Sequence, residues 1–239
     1  MTDIATTNTA HSSRSFQSNG QDSRRETRSK ILEAARALFA EEGFEKTSMR
    51  KIAARIGYSP TTIYHHFANK AELFLHLVEE VCEEFLKRCN HAMASHLDPI
   101  RRLVCFLETY IEMGLTHQSA YRIAFMLPTR LYRKPTDYFP KGSKALRLYR
   151  LLCDATAKCI AARGGPADNP HVVESAVQSI WTSLHGVTSL LITYPSFPWT
   201  SVDELKDNAI KTSLMHIDTN HLDAHQWRRV ADRSLTEHA

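Results

Sequence analysis

Along most of this chain, apolar residues recur every three or four positions, and no useful length alternates with a period of two. That pattern predicts an all-α protein. Ile31, Ala35, Leu38 and Phe39 make the first stripe, opened by a Ser23–Glu26 capping box and stopped by Gly43 in a left-handed turn. Two short helices follow. Thr47 or Ser48 caps the first, which turns Ile52, Ala53 and Ile56 inward and ends at Gly57. Ser59-Pro60 opens the second, a side-chain cap with proline at the first helical position, and it ends near Phe67. Asn69 and Glu72 start a long helix striped with Leu73, Phe74, Leu77, Val81 and Phe85.

From Asp98 onward only helices are expected. Pro99–Thr116 presents Leu103, Leu107, Tyr110 and Ile111 on one face, and a short helix from Ser119 closes at Pro128. A proline-punctuated loop covers 129–140. Gly142–Arg163 is helical and ends at Gly164-Gly165. Asn169-Pro170 launches a helix to Tyr194, broken by Tyr194-Pro-Ser-Phe-Pro198, and Ser201 caps a last helix reaching Ile217. The expected division is a disordered tail over 1–22, a small domain over 23–85, a larger helical domain over 86–219 and a second tail over 220–239.

Composition narrows the class. A 239-residue chain that is 43% hydrophobic and 23% charged reads as globular. No apolar run reaches the ~20 residues that span a bilayer. The polar N-terminus lacks the apolar core of a secretion signal, so a cytoplasmic protein is expected. Five scattered cysteines in apolar patterns read as reduced and buried. The net charge of +4 is unevenly placed: Arg24 to Lys70 carries about +5 and the remainder is near neutral. A basic block at one end of a neutral body suits a polyanion.

The spacing from Ile52-Ala53 through Gly57 to Ile63 is that of a helix-turn-helix spanning 48–67. Its small residue lets two helices approach, its glycine takes a positive φ, and its second helix has an exposed amino end. The residues Thr27–Phe39, Glu42-Gly-Phe44, Thr47–Gly57, Ser59–Phe67 and Asn69–Leu73 together resemble the TetR family of regulators. The resemblance covers about a fifth of the chain. It implies backbone and base contacts from Ser48 and Arg50, base reading by Pro60, Thr61 and Thr62, phosphate-facing roles for Tyr64, His65 and His66, and a lysine at the next helix start in Lys70. Hydroxyls and basic groups donate well to phosphate oxygens, which agrees with that division. Tyr64 packing into the core and Arg50 as a solvated charge are the plainer alternatives. Arg24 and Arg25 suit either a minor groove or solvent.

A second resemblance lies in Trp181-Thr-Ser-Leu-His-Gly186, which is similar to the Trp–His–Gly signature of one TetR subfamily. It implies that this helix and the last one pair with their twins in a homodimer, with Trp181, Leu184, Gly186 and Leu190 at the contact. Dimerisation also has a physical warrant, because one short motif reads few bases and a two-fold pair on a pseudo-palindromic operator doubles them. The family places a small-molecule pocket among the middle helices. The candidates are Phe106, Tyr110, Tyr121, Phe125, Trp181 and His185, with plain core packing as the alternative for each.

Enzyme chemistry is not expected. There is no Gly-x-Ser-x-Gly, His-Glu-x-x-His, paired Cys-x-x-Cys or glycine-rich loop. His65 and His66 are adjacent on a helix and point apart, and His221 and His225 lack a third ligand, so neither metal nor cofactor is expected. The resulting expectation is a non-enzymatic repressor that binds double-stranded operator DNA as a dimer and is released by an unidentified small molecule.

Overall fold

The computed structural model describes residues 10–127, 137 and 139–219, and these are helical with no strand among the described residues. The helices are α1 (Ala10–Lys46), α2 (Met49–Arg55), α3 (Pro60–Tyr64), α4 (Lys70–Ala94), α5 (Pro99–Thr116), α6 (Gln118–Tyr121), α7 (Lys144–Ala162), α8 (Pro170–Thr193) and α9 (Val202–Thr219). A wide π turn, Arg122–Met126, continues α6. The chain divides into two compact units, the first running to Leu77 with Leu127 added, the second from Val78. The division thus falls inside α4, eight residues before the boundary expected at Phe85.

Side-chain caps at Ser48, Ser59, Asn169 and Ser201 act where they were expected, and Asp98 and Ser143 add two that the sequence pattern did not single out. Each accepts from an amide two or three residues ahead. At α4, Asn69 Oδ1 accepts from Glu72 N at 2.9 Å while Glu72 reaches back to Ala68 N at 2.7 Å. Proline opens α3, α5 and α8, where its missing amide breaks no helical bond.

The N-terminal start differs. The first helix begins at Ala10, not at Ser23. Glu26 pairs with Lys30 one turn on, at 2.7 Å, instead of reaching back to Ser23. A Glu–Lys pair at that spacing supports a continuing helix as readily as a Glu supports a helix start. Residues 1–9 and 220–239, with His221 and His225, lie outside the described residues, as does most of the expected loop over 129–140.

In the first unit, α1 and α2 pack together, as do α2 and α3. Ile31, Ala35, Leu38, Phe39, Ile52, Ala53, Ile63 and Leu73 are buried together with Phe74. Phe39, Phe44 and Phe74 form a mutual aromatic cluster with centroids 5.0–5.7 Å apart. Ile56, expected inside, is only half-buried because it is the residue that ends α2. In the second unit α5 packs on α7 and α8, and α9 packs on α8 and α5. Its core includes Leu103, Leu107, Ile111, Leu148, Leu152, Ala176, Val177, Ile180 and Leu184.

Candidate functional site

The motif is built from short-range bonds. Ser48 Oγ accepts from Lys51 N at 3.2 Å and sets the start of α2. Gly57 sits at φ 70, which an L side chain rarely adopts. A Cβ there would meet nothing within 4 Å, so conformation and not space demands the glycine. Ser59 Oγ then accepts from Thr62 N at 3.2 Å and pairs with Thr62 Oγ1 at 2.9 Å, fixing the turn into α3.

These bonds leave one exposed set. Ser48, Arg50, Pro60, Thr61, Tyr64 and His65 are exposed, and Thr62 and His66 are partly so. Tyr64 at 53% exposure is not a core residue. The cations around the motif divide sharply. Lys51 pairs with Glu42 at 2.6 Å, and Arg55 is held bidentately by Glu41 at 2.9 and 3.1 Å. Arg50 has no ion-pair partner among the described residues and points its charge to solvent, as do Arg24 and Arg25. Burial, aided by the charges of Arg24, Arg28 and His65, holds His66 below the ordinary histidine value, so it is neutral at pH 7.

Lys70 requires a correction. Expected on the DNA-facing side, its ammonium instead donates to Phe44 O at 2.7 Å and Thr47 O at 2.9 Å, with Glu45 O at 3.5 Å. It also lies 4.2 Å over the Phe44 ring. An ammonium has three protons, and all are directed at main-chain carbonyls. The chain past Gly43 leaves those carbonyls without helical partners, and Lys70 caps them. It is a positioning residue that ties the end of α1 to the start of α4.

Two further supports were missed in the sequence. Thr47, 2% exposed, donates to Leu38 O or Gly43 O, 3.2 and 2.8 Å away. Arg28 stacks 4.2 Å over Phe67 and donates to His66 O at 3.4 Å, with both ring nitrogens of His76 at 3.3 Å. Arg28 sits inside a stripe that reads as plain amphipathic pattern, and Thr47 reads as a cap for α2, so neither inward role was marked.

The second unit contains a half-open cavity of about 60 Å³. Four of the expected pocket residues line it: Phe106, Tyr110, Phe125 and Trp181. Tyr121 and His185 do not, but they stand directly behind it. Tyr121 Oη lies 2.9 Å from Tyr110 Oη and 2.8 Å from His185 Nδ1, so three polar groups run in a chain from the cavity wall. Burial raises the Tyr110 hydroxyl to about 12, and also lowers His185 below the usual histidine value. The chain is therefore uncharged at pH 7. Cys82, Phe85, Leu148, Tyr149 and Leu152 also line the cavity and were not singled out in the sequence. They extend stripes already called core, and periodicity cannot tell a filled face from one beside a void.

The expected dimer residues separate. Leu184 is 1% exposed and lines the cavity, as does Trp181, so both serve the inside of their own chain. Gly186 and Leu190 face outward. A Cβ at Gly186 meets nothing within 4 Å, and Leu190 is exposed. Among the described residues no cluster of three metal-ligating side chains occurs, and no helix is long and apolar enough to cross a membrane.

Residues 31–77 match the family described as "Bacterial regulatory proteins, tetR family". The chain is 34% identical over 103 residues to the HTH-type transcriptional regulator UidR of Escherichia coli (strain K12), covering 42% of this chain and 48% of UidR. It is 28% identical over 102 residues to the HTH-type transcriptional activator FasR of Mycolicibacterium smegmatis, covering 43% of this chain and 47% of FasR. The chain thus spans about half the length of the curated relatives it matches. In fold it is similar to the SmeT–triclosan complex, with a TM-score of 0.56 and 21% identity over 80% of this chain and 90% of that one. The Trp181–Gly186 signature lies outside the matched residues 31–77. The matched residues include the ones whose caps, glycine turn and exposed polar set are described above, so the similarity to the tetR family of bacterial regulatory proteins lies in the helix-turn-helix segment itself.

Proposed function

We propose that this protein is a sequence-specific DNA-binding transcriptional regulator and not an enzyme. The observation that carries the reading is the exposed set Ser48, Arg50, Pro60, Thr61, Tyr64 and His65 on a motif whose geometry is fixed from beneath by Thr47, Arg28 and Lys70. Firm support under exposed polar groups is what base reading requires, since hydrogen bonds to base edges discriminate only when their donors are held in place. Thr61 and Thr62 are the base readers. Arg50, Tyr64 and His65 contact phosphates and fix the register.

The protein acts as a homodimer on a pseudo-palindromic site and is released by a small molecule held in the second unit. Support for the dimer is the outward face near the α8–α9 turn, where Leu190, Tyr194, Phe197 and Val202 are all exposed. Gly186 lies on the same helix with open space before it. Support for the effector is the apolar cavity, whose wall includes Cys82 and Phe85 of α4, the helix that begins at Lys70 in the motif unit. Repression is the simpler sign, because an occupied operator excludes other proteins with no further contact. The site of action is the cytoplasm, where operator DNA lies.

Selection from a pool of random duplexes with the purified full-length protein tests this reading. Enrichment of a two-fold sequence with half-sites about ten base pairs apart is expected. A pool that remains random after several rounds would refute it.

A further inference from the structure

The cavity in the second unit carries information on what it accepts, and this inference rests on the effector reading above. Among the described residues no Asp, Glu, Lys, Arg or His lines it. Seven of its twelve lining residues are aromatic, Phe106, Tyr110, Phe125, Tyr149 and Trp181 among them. The Tyr110 hydroxyl is a buried polar group on its wall, uncharged and backed by Tyr121 and His185. The thiol on the wall, Cys82, is pushed up to about 12 by burial and so does not act as a nucleophile at neutral pH.

We infer that the cavity binds a neutral aromatic compound bearing a single hydroxyl, a phenol in chemical class, with its ring among the aromatic side chains and its hydroxyl on Tyr110. Three features fix that choice. An anion or cation would enter without a counter-charge and lose its hydration with no return. A purely apolar ring would fill the space yet leave the free valence of the Tyr110 hydroxyl unanswered. A phenol satisfies both, because its hydroxyl donates and accepts.

The Tyr110–Tyr121–His185 chain makes the terminus adaptable. Where neutral His185 accepts at Nδ1, Tyr121 donates to it, Tyr110 donates to Tyr121, and the Tyr110 oxygen is left to accept from the ligand. In the other tautomer each proton turns round and Tyr110 donates outward. A phenol is served by either arrangement, whereas a ketone or an ether is served by one. The cavity, about 60 Å³, is smaller than the ~150 Å³ of one known to take a benzene ring. A ring therefore spreads the lining as it enters, and Phe85 of α4 is part of that lining.

Calorimetric titration of the full-length protein at pH 7 with four para-substituted rings of similar size tests the inference. These are 4-methylphenol, p-xylene, 4-methylbenzoate and 4-methylbenzylammonium. The phenol is expected to bind at least about tenfold tighter than either ion and severalfold tighter than p-xylene. Tyr110→Phe should remove the preference over p-xylene while p-xylene itself still binds. Ala145→Phe, which fills the cavity from its wall, should abolish both, with helical circular dichroism unchanged. Benzoate or benzylammonium binding as tightly as the phenol, no saturable binding of the phenol, or a phenol preference that survives Tyr110→Phe would overturn it. DNA retention measured on the same samples reports separately on regulation. A phenol that binds without altering it keeps the ligand class and removes the effector role.

Discussion

The two units of this protein are held by different kinds of force. Around its motif the first adds directed bonds to its apolar core, several of them over short sequence distances. Ser48 and Ser59 bond three residues ahead, Thr47 reaches Gly43, and Lys70 closes the loop after α1 onto three carbonyls. The second is organised by burial between helices far apart in sequence, and its cavity gathers residues from Cys82 to Leu184. A directed bond leaves a signature in residue type and spacing, whereas burial leaves only a stripe. The contrast teaches why the supports of the motif are easier to read from the sequence than the residues around the cavity.

The sharpest way to break the contrast is Lys70→Met. Loss of two short charge-assisted bonds, each worth roughly 1.5–3 kcal/mol, should destabilise the first unit by about 3 kcal/mol or more. Chemical denaturation followed by Trp-independent circular dichroism measures it. Unchanged stability together with a salt slope shallower by about one unit would restore Lys70 to the phosphate-contacting set.

In the second unit the corresponding test is Gly114→Ala. A Cβ there would collide with the Thr188 methyl and stand 3.0 Å from the Tyr121 ring. Overpacking of this kind costs about 1–3 kcal/mol, and the displaced Tyr121 should weaken phenol binding. A fully stable variant would show that this packing is looser than the close approach implies.

Gly186→Leu separates packing within a chain from packing between chains. With open space in front of it, the folding free energy should move by no more than about 0.5 kcal/mol, while light scattering should show a shift from dimer toward monomer. A misfolded variant would place Gly186 inside its own chain, and a stable dimer would place the interface elsewhere.

The smallest effect concerns protons. Burial lowers His185, and burial with neighbouring positive charge lowers His66, from the ordinary 6.5. In each case the unfolded chain takes up the proton more readily. The stability these groups contribute is present above pH 6.5 and is lost as the pH falls below it through their folded values. Thermal melts at pH 7 and pH 5 should therefore show an acid loss, smaller in His185→Gln. An equal loss in that variant would assign the effect to other groups.

Much of the first unit was legible in the sequence because its determinants are local. Ser59-Pro60, Gly57 and Asn69–Glu72 each announce a cap or a turn through chemistry that few residues share. Lys70 was legible as a special position but not as an inward one, since a lysine at a helix start reads alike whether it meets a phosphate or a carbonyl. The start of α1 was misplaced because Ser23 and Glu26 fit a helix interior as well as a helix cap. In the second unit the helices and their ends were legible, from Pro99–Thr116 to Pro170–Thr193. Which side of α8 faced inward was only half so. Trp181 and Leu184 lie within nine residues of Gly186 and Leu190 on the same helix, yet the first pair lines the cavity and the second faces out. A helix apolar over more than one stripe does not say which stripe its own chain will cover.

The central claim is that the exposed set on the helix-turn-helix reads sequence. Fluorescence anisotropy titrations of the full-length protein with the selected duplex and with a scrambled duplex of equal composition, at one fixed salt concentration, test it most directly. The account predicts an affinity ratio of about 10³ or more in favour of the selected site. A ratio near one, with both affinities falling together as salt rises, would contradict it and leave a protein that binds DNA by charge alone.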